Sequence, residues 1–296
     1  MTGWFWRHSD EIMVRPAGPA DRPALTALLA GTWRRHGTLA VEEQVALLSS
    51  GASLIALRGD EAVGFLGLAP RAPTCDPAEL WVDVAMIAAG GDLPPARVLQ
   101  PLLAKIAPSW RGQPLTGLIC LTAQDWLIRE LAAGGFREED RVLGYVRSAY
   151  RPMAEPPSVC RLRAAGVAQA ETILALNAAA FEPLWRYDDR VVLSWLLLAD
   201  HAVVAEMEGR PMGFALTTLR VANDHAQLIR VATHPASQGR GIGRQLVMDA
   251  IRYAADAGAT GLWLNTQHSN TAARHLYEAL GFRPTGDALS VMIRRF

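Results

Sequence analysis

The chain has 296 residues, half of them hydrophobic and a fifth charged, and its 29 basic and 29 acidic side chains cancel. That length suits two domains of about 150 residues each, and the composition is globular rather than disordered. Zero net charge with no basic half excludes a dedicated nucleic-acid binder, and three scattered cysteines (Cys75, Cys120, Cys160) exclude a disulfide framework or a zinc site.

The first stretch, "MTGWFWRHSDEIMVRP", lacks the apolar core and cleavage site of a signal peptide. "ALRGDEAVGFLGL" (56–68) reads as strand, polar turn, strand. "IRELAAGGFREEDRVLGYVR" (128–147) reads as an amphipathic helix ending in Gly-Phe, then a strand. "YRPMAEPPSVC" (150–160), with three prolines and little periodicity, marks a linker. Beyond it both earlier patterns return, as "AEMEGRPMGFALTT" (205–218) and "RHLYEALGFRPTGDALSVMIR" (274–294), at a spacing near 146–149 residues. This is a duplicated domain: a first copy over 1–150, a linker over 151–159 and a second copy over 160–296.

In the second copy a short strand at "VCRLRAA" precedes helices over 167–181 and 190–199. The apolar run inside the latter, "VVLSWLLLA", is about half of a bilayer span, so the expected location is the cytoplasm, with no membrane partner. Strands follow over 201–207 and 211–219, with Gly209-Arg210 in their turn, and over about 225–233. A helix to Asp256 carries Leu246, Val247, Ala250, Ile251 and Ala254 on one face. "TGLWLNT" (260–266) is a buried strand, "NTAARHLYEAL" (270–280) a helix closed by Gly281, and "DALSVMIRRF" a last strand. The fold class is therefore α/β in the mixed α+β sense: two tandem domains, each a mixed, mostly antiparallel sheet flanked by helices.

Between the 225–233 strand and its helix lies "HPASQGRGIGRQ", with glycines at 239, 241 and 243. A helix N-terminus offers unsatisfied N–H groups and a positive dipole end to an anion. A Walker loop fails here for want of its lysine and spacing. A dinucleotide fingerprint fails because its third glycine falls on Arg244 and no acidic residue stands about 20 positions on. What remains is Gln238-Gly239-Arg240-Gly241-Ile242-Gly243, three residues beyond Pro235. With "NTAARHLYEALGF" (270–282), it resembles the GNAT family of acyl-CoA N-acyltransferases over about 160–296.

The resemblance implies acetyl-CoA as cosubstrate and no metal. Backbone groups of Val231, Ala232 and Thr233 would pair with the pantetheine arm, one N–H of Val231 or a neighbour polarising the thioester carbonyl. The loop Gln238, Gly239, Arg240, Gly241, Ile242, Gly243 and Arg244 would wrap the pyrophosphate. Asn270 would sit near the thiol end, and Tyr277 matches the family's general acid; a tyrosine there can also simply pack beside Leu276 and Leu280. Where ribosomal-protein alanine acetyltransferases carry a glutamate base, this chain has Asn265. Asp224, His225, Glu206, His268 and His275 are the remaining candidates, unless water relays the proton. The acceptor side falls to "FEPLWRYDDRVVLSW" (181–195), where Trp185, Tyr187 and Asp188 are candidate substrate contacts, or else the aromatics pack and Asp189 caps the helix. The acceptor is a small-molecule or peptide amine, and the oligomeric state is open.

In the first copy Leu131 stands for Tyr277, Gln124 for Asn270, and Pro94-Pro95 for Arg240-Gly241. Proline has no N–H for a phosphate, so this copy is expected to be degenerate. A tandem with one degenerate half resembles the mycothiol synthases, although no motif singles out their substrate. The expected activity is acetyl transfer to a primary amine by direct attack; the rival is a non-catalytic acyl-CoA-binding module.

Overall fold

The computed structural model describes residues 11–37, 46–49, 51–71, 80–90, 92–107, 109–110, 112–148, 157–220 and 224–296. Most of the linker expected over 151–159 (151–156), together with Cys75, lies outside them. Unit 1 comprises residues 1–139 with 290–296, and unit 2 residues 140–289.

In unit 1, β1 (Ile12–Pro16) leads through α1 (Arg22–Gly31) and the two-residue β2 (Arg35–His36) to a hairpin of β3 (Leu54–Arg58) and β4 (Glu61–Pro70). β5 (Trp81–Ala89), α2 (Pro95–Ala104), the small ribbon β6 (Ser109–Trp110) and β7 (Gln113–Pro114), β8 (Gly117–Thr122) and α3 (Asp125–Ala133) follow, then β9 (Arg137–Ser148). Unit 2 runs β10 (Arg161–Ala164), α4 (Ala170–Ala180), α5 (Asp189–Leu198), β11 (His201–Met207), β12 (Arg210–Arg220), β13 (His225–Thr233), α6 (Ile242–Asp256), β14 (Gly261–Gln267), α7 (Thr271–Ala279) and β15 (Arg283–Arg295). Each is a mixed α/β fold: the strand order is β1-β3-β4-β5-β8 in unit 1 and β14-β13-β12-β11-β10 in unit 2, antiparallel except β5–β8 and β13–β14.

The duplication extends to irregularities. The hairpin register slips at Ala56/Leu57 in unit 1 and at Ala205/Glu206 in unit 2; the next pair slips at Gly67/Leu68 and at Leu216/Thr217. A bulge shifts every later side chain to the other face, so matching bulges keep matching residues in the two cores. In unit 2, Tyr145, Leu246, Val247, Leu262 and Leu264 fill one face of the sheet, and Ile173, Val192, Phe214 and Leu216 the other. The five residues expected on one face of the 242–256 helix are all buried.

Three details differ from the sequence reading. The 201–220 hairpin turns at Glu208-Gly209, not Gly209-Arg210; both residues have positive φ (54° and 75°), the type I′ pattern that suits twisted strands. The final strands do not stay with their own halves. Residues 142–148 of β9 pair with β14, and residues 290–295 of β15 pair with β8, so each half's last strand completes the other unit. The third is the cap of α5, which is Asp188: its carboxylate accepts the Arg190 N–H at 2.8 Å. Among the described residues no helix is long and apolar enough to cross a membrane.

Candidate active site

β13 pairs with β12 along its length but with β14 only at its start, where His225, Ala226 and Gln227 face Gly261, Leu262 and Trp263. Beyond Gln227 the two parallel strands part and leave a split at their carboxyl ends. Leu216 pairs with Arg230 and Thr217 with Leu228, which makes Ile229 an extra residue on β13. A bulge bends its strand and increases its twist, and this one sits where the split opens.

One hydrogen bond fixes which backbone groups face the split. The His234 N–H donates to the Met212 carbonyl at 2.8 Å. Strand residues alternate in direction, so Ala232 also turns toward β12, whereas Val231 and Thr233 turn their N–H and C=O groups into the split. The Thr233 carbonyl accepts the Gln238 amide there at 3.4 Å.

A 3-10 turn (Pro235–Ser237), capped by the His234 ring, leads into the glycine loop. Gly239 and Gly241 have φ of 74° and 87°, accessible to glycine without a Cβ penalty. Gly241 caps α6, and the N–H groups of Ile242, Gly243 and Arg244 fall in its first turn, where no intrahelical acceptor exists. From the other side comes α7, capped by Asn270, whose side-chain carbonyl accepts the Ala273 N–H at 3.1 Å. Helical spacing then puts Ala273, Leu276 and Tyr277 on one face.

These elements enclose a cleft of about 420 Å³. Val231, Ala232, Thr233, Gln238, Gly239, Gly241, Ile242, Gly243, Arg244, Asn270 and Tyr277 all line it, as do Ala180 and Phe181. Arg240 instead lines a groove beside Ser158–Arg161 and Glu206–Gly209. Tyr277 is 5% exposed, between the rings of Tyr145 and Phe282 at 6.3 and 5.8 Å. Among the described residues its hydroxyl has no hydrogen-bond partner. Burial pushes its pKa up to about 12, so the phenol stays protonated throughout the physiological range.

No carboxylate or imidazole is among the described residues lining the cleft. Asp224 and His225 sit at the opposite end of β13 from the glycine loop. Glu206 pairs with Arg163, and Asn265, His268 and His275 are exposed. Among the described residues no cluster of three or more His, Cys, Asp or Glu could hold a metal ion.

The model of the acetyltransferase (GNAT) family matches residues 170–282. Residues 170–282 are thus a GNAT acetyltransferase domain. The mycothiol acetyltransferase of Thermobispora bispora is 29% identical over 94% of this chain and 97% of its own length. The [ribosomal protein bS18]-alanine N-acetyltransferase of Salmonella typhimurium is 41% identical, over 25% of this chain and 49% of its own length. Among solved structures, the tandem GNAT protein from the clavulanic acid biosynthesis pathway shares the fold with a TM-score of 0.58 at 15% identity, over 96% of this chain and 98% of that one. With that domain the chain is an acyl-CoA N-acyltransferase, and the family of the domain uses acetyl-CoA as cosubstrate.

One residue of the GNAT unit escaped the sequence reading. Arg230 lies on β13 beside the bulge, its guanidinium 3.4 Å from the centre of the Phe181 ring and 5.3 and 5.8 Å from Tyr187 and Trp195. It donates twice to the Asn177 side-chain carbonyl (2.9 and 3.1 Å) and once to the Trp185 carbonyl (2.9 Å). Tyr187 packs edge-on against Trp195 at 4.9 Å. Trp185, Tyr187 and Asp188 thus surround or cap the wall that holds Phe181, and none of the three lines the cleft. The available signal was a lone cation in the apolar strand "AQLIRVAT". Arg230→Ala is expected to destabilise the protein by about 2–3 kcal/mol, because buried Asn177 loses both donors and the ring loses its cation. Urea unfolding measures this; a loss below about 0.5 kcal/mol, the scale of an ordinary surface substitution, would contradict it.

Proposed function

We propose that unit 2 transfers the acetyl group of acetyl-CoA directly to the primary amine of a small-molecule acceptor. The observation that carries the reading is convergence: one cleft holds the open edge of β13, the glycine loop and Tyr277. In this reading Val231 and Thr233 pair with the pantetheine arm, and the Val231 N–H polarises the thioester carbonyl. The loop N–H groups from Gly239 to Arg244 take the pyrophosphate, with the guanidinium of Arg244 adding charge. The Asn270 carbonyl is committed to its cap, which leaves its NH2 for the cofactor. Tyr277 donates a hydrogen bond to the departing sulfur. Phe181, held by Arg230 and the Trp185–Asp188 segment, forms the acceptor wall.

With no base among the described residues lining the cleft, the amine attacks in its neutral form and its proton passes to water. The rate is therefore expected to climb with pH through the amine's own pKa. It should not fall again by about pH 10, because the raised Tyr277 pKa keeps the phenol protonated. A descending limb near pH 9 that disappears in Tyr277→Phe would contradict that assignment.

The small-molecule class follows from coverage. The mycothiol acetyltransferase relative spans nearly the whole chain, whereas the match to the ribosomal-protein enzyme covers a quarter of it. Unit 1 is the degenerate copy: α3 has Leu131 where α7 has Tyr277, and α2 is capped by Pro94 where α6 is capped by Gly241. A cytoplasmic location belongs to the same proposal. The test is acceptor-dependent release of CoA by the full chain, with the amine that mycothiol acetyltransferases use set against an alanine-terminated peptide. Preference for the former supports the reading. Acetyl-CoA binding with no release under any amine would leave the non-catalytic binding module.

A further inference from the structure

Unit 1 contains the same split as unit 2. β5 and β8 pair in parallel only over Trp81–Asp83 and Gly117–Ile119, as β13 and β14 do at their starts. β4 covers one edge of β5, which leaves the other edge facing the split beyond Asp83. The sheet registers match Ala89 to Thr233 and Gly90 to His234: the Gly90 N–H donates to the β4 side, just as His234 donates to Met212.

That edge is taken by the chain itself. The two residues of β2 pair antiparallel with Ala88 and Ile87. The Ala89 N–H donates to the Arg34 carbonyl at 3.0 Å, and the Ala89 carbonyl accepts the Thr32 hydroxyl at 2.5 Å. These are the counterparts of the Thr233 groups that turn into the cleft of unit 2. On the far side, Gln124, the counterpart of Asn270, donates its amide to the Arg35 carbonyl at 3.0 Å. At the mouth, the Arg34 guanidinium donates to the Leu93 carbonyl at 2.7 Å, in the loop that corresponds to the glycine loop. Gly37, at φ 87°, lies so close to β5 that a Cβ there would stand 2.3 Å from the Ala85 carbonyl oxygen. Only glycine fits that approach.

We propose that Thr32–Gly37 is an internal strap that occupies the unit 1 split in the place where unit 2 receives acyl-CoA, so that one chain binds one acyl-CoA. The comparison with unit 2 rests on the function proposed above. The strap satisfies the β5 backbone groups that a pantetheine arm would need, and Pro94 removes an N–H from the helix end that a pyrophosphate would need. Degeneration of this copy is thus a filled site, not merely a missing tyrosine.

The test is hydrogen exchange on the unmodified full chain, read on peptides covering 85–93 and 229–237 with and without acetyl-CoA, alongside binding stoichiometry by calorimetry. The strap predicts slow exchange over 85–93 that acetyl-CoA does not change, and one acetyl-CoA per chain, with new protection only over 229–237. Fast exchange over 85–93 without ligand, slowing there on adding acetyl-CoA, or two molecules bound per chain would each overturn it. No binding at all, with 85–93 still protected, would uphold the strap and sink the function proposed for unit 2.

Discussion

Tyr277→Phe is expected to lower kcat by about 100–1000-fold, the range for losing one preorganised hydrogen-bond donor to a developing charge, with the Kd for acetyl-CoA unchanged. The ring fills its place between Tyr145 and Phe282 either way, so the substitution removes only a hydroxyl without a hydrogen-bond partner among the described residues. What is lost is a donor to the sulfur that leaves as thiolate. At a pKa of about 12 the phenol is always charged with its proton, yet full transfer to a thiolate whose conjugate acid is near ~8.5 runs uphill. Burial raises the thiol's pKa too and narrows that gap. The phenol therefore acts chiefly by donating a hydrogen bond as charge develops on sulfur. Steady-state kinetics under saturating amine, with binding measured separately, tests this. An unchanged kcat would remove Tyr277 from the mechanism.

The second large effect belongs to Gly243→Val. Gly243 lies in the first turn of α6, and a Cβ there would meet the Thr233 hydroxyl oxygen at 3.4 Å and a Leu276 methyl at 3.6 Å. A single methyl fits, but a branched side chain fills the passage between β13 and α7. The helical backbone accepts valine, whose helix propensity exceeds glycine's, so the fold should survive. Acetyl-CoA binding is expected to weaken at least about 100-fold, ~2.8 kcal/mol. Equilibrium dialysis with labelled acetyl-CoA, on protein of native circular dichroism, measures it. Binding within a few-fold of wild type would move the cofactor off this cleft.

Both predictions rest on residues visible in the sequence, because their signals are local. Three glycines between a strand and a helix report positive φ and close approach, and Tyr277 follows Asn270 by two helical turns. The hairpins were legible from period-two alternation. Strand partnership was not: "VLGYVRS" and "SVMIRR" carry similar apolar alternation, so local pattern cannot rank which sheet each completes. Capping by Asp188 instead of Asp189 is a one-residue shift, within the usual uncertainty of a helix end. Arg230 and the strap "TWRRHG" were missed for a common reason. Each is a polar segment whose meaning lies in what it touches: the aromatic ring of Phe181 in one case, the open edge of β5 in the other. Neither contact leaves a periodicity to read.

The most direct test of the central claim is thermal unfolding of the full chain with and without acetyl-CoA, for wild type and for Gly243→Val. Ligand at 100 times its Kd should stabilise the native wild type by about 2.7 kcal/mol, raising Tm. The variant, folded but with its cleft filled and its affinity at least about 100-fold lower, should be stabilised by no more than about 0.4 kcal/mol at the same ligand concentration. No shift in folded wild type up to millimolar acetyl-CoA, or an equal shift in both proteins, would contradict the assignment of this cleft to the cofactor.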